Sequence, residues 1–120
     1  MPFVLDHLGK PPIGEWEPWA GFITDLAALP NVTAKLSGLV TEADWAGWRG
    51  DDLLPYDLHA LESFGPDRLM YGSDWPVCTL AASYDQVLDL ARTACADLSP
   101  AERTAVFAGT AQRVYNLPPD

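Results

Sequence analysis

Three short apolar runs mark the chain: Phe3-Val4-Leu5, the stretch from Val32 to Leu36, and Leu69-Met70-Tyr71. Their starts lie roughly 30 to 40 residues apart, the rhythm of parallel βα units. Each run stops at polar or turn residues. Asp6-His7 and then Leu8-Gly9-Lys10-Pro11-Pro12 follow the first, Ser37-Gly38 the second, and Gly72-Ser73-Asp74-Trp75-Pro76 the third. In the middle run Val32, Ala34 and Leu36 alternate with Thr33, Lys35 and Ser37, which is the two-residue period of a strand.

Helical spacing fills the intervals. Trp19, Phe22, Ile23, Leu26 and Leu29 predict an amphipathic helix over 18–29 that Pro30 stops. A Trp- and acid-rich loop over 41–51, with one helical turn around 42–48, precedes a second helix marked by Leu54, Leu58, Leu61 and Phe64. Gly65-Pro66 closes that helix. Ser83 with Gln86 is a capping box for a third, whose inward face reads Tyr84, Val87, Leu88, Ala91 and Cys95. Ser99-Pro100-Ala101-Glu102 opens a fourth, ended by Gly109. Thr110 then caps a last short helix, and Pro118-Pro119-Asp120 is a tail.

The predicted order is β-α-β-loop-α-β-α-α, an α/β arrangement with parallel strands. Three such strands leave two raw sheet edges, and the first lacks a crossover helix before it. The pattern therefore predicts one partial domain over residues 1–120, the last part of a larger sheet.

Composition narrows the partners. The 17 acidic and 7 basic residues give a formal charge of −10, which excludes nucleic acid and anionic membrane as expected partners, since both select clustered Lys and Arg. No apolar run approaches the roughly 18 residues of a membrane span. The start has no basic segment and reaches Asp6 at once, unlike a signal peptide. Cys78 and Cys95 form no CxxC pair and read as small apolar residues of a reducing compartment. A cytoplasmic protein is the expectation.

If the strands are parallel, their polar ends share one rim, the place where α/β proteins bind ligands. Asp6-His7, Lys35 with Ser37, and Ser73-Asp74 would meet there. Asp can deprotonate water, and His or Lys can polarise a carbonyl, or His can hold a metal. Each has a plainer reading. Asp74 is also a loop or cap residue, His7 a hydrogen-bonded structural histidine, Asp6 a partner for Lys10, and Lys35 a solvent-facing strand residue. His59 sits beside an apolar stripe and reads as structural, and no base is spaced to make Cys78 a nucleophile. Trp45 and Trp48 either pack at helical spacing or stack on a ring substrate.

The segments Leu5-Asp6-His7-Leu8-Gly9-Lys10-Pro11, Lys35-Leu36-Ser37-Gly38, Phe64-Gly65-Pro66-Asp67-Arg68-Leu69-Met70-Tyr71-Gly72-Ser73-Asp74-Trp75-Pro76 and Phe107-Ala108-Gly109-Thr110-Ala111-Gln112-Arg113-Val114-Tyr115 resemble the amidohydrolase-related family. The resemblance is closest to its sugar-acid lactonase branch, and Leu39-Val40-Thr41-Glu42-Ala43-Asp44-Trp45 favours the fuconolactonase-like side. It implies the C-terminal part, about three βα units, of a (β/α)8 barrel, since a whole barrel needs about 250 residues.

It also implies hydrolysis of a lactone or related carbonyl. Asp74 corresponds to the family's general base, and His7 to a histidine of the metal or carbonyl-activating cluster. One divalent metal, zinc, is implied for the metal-using members, with His7 and Asp74 as ligands, and none for others. Trp45, Ser37 and Lys35 are the expected substrate-binding residues, toward a lactone or sugar acid. The family's His-x-His pair has no counterpart in this sequence, so the expectation is little activity from these residues alone. The alternative is a non-catalytic assembly module that pairs its open edges with a second copy or a partner chain.

Overall fold

A computed structural model describes residues 2–118, so positions 119 and 120 of the expected tail lie outside the described residues. Strands β1 (Phe3–Leu5), β2 (Val32–Leu36) and β3 (Leu69–Tyr71) form one parallel sheet in the order β1-β2-β3. Leu5 pairs with Ala34, and Leu36 with Tyr71, so the three C-terminal ends are level. Helices α1 (Trp19–Ala27) and α2 (Gly50–Phe64) pack on the sheet, and α3 (Tyr84–Ala94) packs on α2. A final helical run follows: α4 (Pro100–Thr104), a π-turn over Ala105–Gly109, and α5 (Thr110–Val114). This is the α/β architecture of the C-terminal portion of a (β/α)8 barrel.

The alternation in β2 does what its spacing predicts. Val32, Ala34 and Leu36 are buried against the helices, while Thr33 and Lys35 take the opposite face. Both capping boxes form: Ser83 accepts from the Gln86 amide and Ser99 from the Glu102 amide, each answered by the reciprocal side-chain bond. Arg68 reaches the carbonyls of Ala27, Leu29 and Val32, tying the end of α1 to the base of the sheet.

Several expectations are corrected. In α2 the buried face is Leu53, Tyr56, Asp57, Ala60 and Phe64, and Leu58 is exposed. The spacing of three and four is equally good in both frames, and tertiary packing chose the frame that carries an acid inward. Phe22 of α1 and Tyr84 of α3 are also exposed, and α1 ends at Ala27, which leaves the exposed Leu29 beyond it. The Trp-rich loop carries the expected turn, with the Gly47 and Trp48 amides donating to the Asp44 carbonyl, and a further turn at Val40–Glu42 precedes it. Gly109 does not end its helix: its φ is −61°, and the run passes through the π-turn into α5. Thr110 is buried and its hydroxyl donates to the Pro66 carbonyl at 3.0 Å, so it ties α5 to the β3 entry instead of capping. Among the described residues no helix is long and apolar enough to cross a membrane.

Candidate active site

After β1 the chain reverses through Asp6–Gly9. His7, Leu8, Gly9 and Lys10 all have left-handed backbones, with φ of 49°, 51°, 72° and 52°. Leu8 anchors the reversal: its side chain is fully buried, and its carbonyl accepts from the Trp19 indole at 2.7 Å. Left-handed non-glycine residues cost on the order of 1 kcal/mol each and persist where packing over-determines them. Here the reversal lays the His7 ring over the tip of β2. Gly38, at φ 75°, lies directly beneath, and a Cβ there would stand 2.7 Å from the Cβ and Cγ of His7. Ser37, buried beside it, has its Oγ 2.8 Å from His7 Nδ1.

Asp74 arrives from β3, three residues past Tyr71, also left-handed at φ 58°. Its carbonyl accepts from the Cys78 amide at 2.7 Å, which holds the turn. Its carboxylate Oδ1 stands 3.6 Å from His7 Nε2. The two residues the sequence placed on separate strand ends therefore meet.

Asp6 is less committed to His7, at 4.0 Å, than to Lys35, whose Nζ lies 3.2 Å away. Their hydrogen bond holds the Asp6 carboxyl below and the Lys35 ammonium above its ordinary value, against the opposing pull of desolvation. Lys10 goes instead to Glu42 at 3.9 Å. A pocket of about 330 Å³ opens over this group, walled by His7, Lys35, Ser37, Asp74 and Tyr115. The Lys35 ammonium lies 6.0 Å from the centre of the Tyr115 ring.

The remaining candidates sit elsewhere. Ser73 accepts from the Trp75 amide within its own turn. Trp45 is half-exposed outside the pocket, its indole donating to the Thr41 carbonyl, and the Trp48 indole donates to Ala81. His59 contacts the Ala20 carbonyl at 2.9 Å and packs edge-on to Trp16 and Trp19. Cys78 and Cys95 are buried free thiols, both pushed up by desolvation, Cys95 to about 11.

Sequence reasoning missed the groups behind the strand tips. A small cavity of about 20 Å³ lies between the sheet and α2 and α3, and it shares Ser37, Tyr71 and Gly72 with the front pocket. Asp57 lines it, 3% exposed, with no hydrogen bond to its carboxyl among the described residues. Burial pushes that carboxyl up to about 8, so it is largely protonated at neutral pH. The buried Tyr71 hydroxyl also lacks a partner among the described residues, and desolvation raises it to about 12. No local sequence signal marks either group; only the frame of α2 reveals Asp57.

Zinc takes three or more protein ligands. Among the described residues no three His, Cys, Asp or Glu side chains are grouped to hold a metal ion. His7 and Asp74 do not by themselves fit a resident zinc. What they can do is act on water and a carbonyl, with an anionic base and an imidazole facing one space.

A family model described as Amidohydrolase matches residues 1–117. An L-fucono-1,5-lactonase of Burkholderia multivorans is 54% identical over 96% of this chain and 43% of its own length. A second L-fucono-1,5-lactonase, from Burkholderia ambifaria, is 42% identical over 95% of this chain and 41% of its own. The chain thus spans less than half the length of the curated relatives it matches. Among solved structures, an amidohydrolase from Burkholderia multivorans with bound zinc superposes with a TM-score of 0.87 at 53% identity, over 96% of this chain and 44% of that one.

Proposed function

The chain belongs to the amidohydrolase family, and from that premise we propose that it carries the strand-tip half of a lactone-hydrolysing site. The observation that carries this reading is the 3.6 Å approach of His7 Nε2 to Asp74 Oδ1 at the wall of the front pocket. The substrate class is a sugar-acid lactone, after the two fuconolactonase relatives.

Asp74 takes a proton from water, and the resulting hydroxide adds to the lactone carbonyl. His7 donates a hydrogen bond to the oxyanion that forms. As the ring C–O bond breaks, Asp74 returns its proton to the leaving oxygen, giving the open hydroxy acid. Lys35 stands at the pocket wall within reach of substrate hydroxyls. Trp45, on the loop that leaves Gly38, offers an exposed indole for stacking on the apolar face of a sugar.

The superfamily is typically metal-dependent; a zinc ion completed by ligands beyond His7 and Asp74 would polarise the carbonyl and acidify a water. In this reading the chain's own contribution is the proton handling at Asp74 and the hydrogen bond from His7. The remaining groups of the site come from a complementary set of barrel strands, so these residues alone turn over little lactone.

A graft tests this. Residues 1–117 replace the matching C-terminal part of the Burkholderia multivorans lactonase, and hydrolysis of L-fucono-1,5-lactone is followed with and without zinc, beside the chain alone. The reading predicts an active graft that loses its activity on His7→Ala, and negligible turnover by the chain alone. An inactive but folded graft, or one indifferent to His7→Ala, contradicts it. A graft that folds without turnover favours the second reading, an assembly module; the motivating feature is the pair of unpaired sheet edges at β1 and β3.

A further inference from the structure

We propose that Ser37 is a positioning residue: its hydroxyl donates to His7 Nδ1 and so fixes the imidazole with its proton on Nε2, aimed into the front pocket. The proposal rests on the reading of His7 as a hydrogen-bond donor to the substrate carbonyl, and it moves Ser37 from the expected role of touching substrate to that of holding the residue that does.

Donors and acceptors around the ring match in one way. His7 Nδ1 faces the Ser37 Oγ at 2.8 Å, and Ser37 is 6% exposed. On the other side of the ring, Nε2 faces two carboxylate oxygens, Asp74 Oδ1 at 3.6 Å and Asp6 Oδ1 at 4.0 Å. Ionised carboxylates only accept hydrogen bonds. A bare Nε2 lone pair pointing between them would be repelled, whereas an N–H is attracted to both. With the proton on Nε2, Nδ1 is an acceptor, and the serine hydroxyl is the donor that suits it.

The opposite tautomer turns Ser37 into an acceptor, and its own proton then has no acceptor among the hydrogen bonds of the described residues. Buried hydroxyl donors left unmade are costly. The glycine at position 38 makes room for this arrangement: a Cβ there would stand 2.7 to 2.9 Å from the His7 Cβ, Cγ and Nδ1.

The chain holds two histidines, and the second is a built-in control. His59 Nε2 is 2.9 Å from the Ala20 carbonyl, an acceptor, so it too carries its proton on Nε2, with no help from Ser37. The test is nitrogen NMR of the chain labelled at histidine, at mildly alkaline pH, on the wild type and Ser37→Ala. The expected result is Nε2–H for both rings in the wild type. In Ser37→Ala the Nδ1–H share of His7 rises about fivefold, the worth of one net hydrogen bond, while His59 stays unchanged. Ser37→Cys, which keeps the volume but donates weakly, gives the same direction of change and serves if the alanine variant does not fold.

A wild-type His7 with its proton on Nδ1, or a His7 signal unmoved in both variants, overturns the proposal. Because the readout needs no turnover, its failure is distinct from a failure of the hydrolase reading, which an inactive graft would report.

Discussion

The two sides of the β2–β3 tips carry the same kind of group and treat it in opposite ways. In front, Asp74 sits in an open pocket beside an imidazole, and Asp6 and Lys35 neutralise each other. Behind, Asp57 stands without a partner among the described residues, in a cavity with room for about one water. Ser37, Tyr71 and Gly72 are the wall between them. A carboxylate beside an imidazole in an open pocket is placed to take a proton from water. A carboxyl without partners and solvent keeps its proton, and its ionisation is charged against the fold. The sequence neighbourhood of an acid does not tell these fates apart; the face it is given does.

The largest effect expected from this contrast is a pH dependence that belongs to the back side. Asp57 binds its proton up to about pH 8 in the folded chain, while in the unfolded chain it releases it near the ordinary 3.8. Between those values the native state holds a proton that the unfolded state has lost, so stability falls as pH rises, by up to about 1.4 kcal/mol per unit, and levels off above the folded value. Urea unfolding of the wild type and Asp57→Asn across that window measures the difference. The asparagine variant loses this slope, and a slope equal in both would show that Asp57 is ionised and solvated after all.

A smaller loss is expected on the front side from Gly38→Ala. The new methyl meets the His7 side chain at 2.7 Å, and the backbone is left-handed there, so the cost is about 2 kcal/mol in the same unfolding experiment. A change under about 0.5 kcal/mol would mean that His7 does not rest on Gly38. Tyr71→Phe should change least. Its hydroxyl has no partner to lose among the described residues, so stability stays within about 1 kcal/mol of wild type or rises slightly. A loss above about 2 kcal/mol would reveal a buried partner for that hydroxyl.

Much of the front side was legible without coordinates, because it depends on features that are periodic or local. Three apolar runs at a βα rhythm set the strands parallel, and parallel strands bring His7 and Asp74 to one rim. The serine capping boxes are read from four residues each. The back side was not legible in the same way. The α2 stripe read from the sequence is Leu54, Leu58, Leu61 and Phe64, and packing against the sheet instead buries Leu53, Tyr56, Asp57, Ala60 and Phe64. In the reversal after β1 only Gly9 announces a left-handed backbone, while His7, Leu8 and Lys10 share it unannounced, and Asp74 is left-handed without a glycine at its position. Gly38 does announce a tight place, but not that the ring of His7 is what lies over it.

The central claim is that the strand-tip acid does the chemistry. It is tested most directly by the rate of L-fucono-1,5-lactone hydrolysis in the graft carrying Asp74→Asn, which is isosteric but not basic. The account predicts a loss of at least about a hundredfold, the scale of a removed general base, with the fold intact. A graft that keeps its rate within about threefold on Asp74→Asn would contradict it.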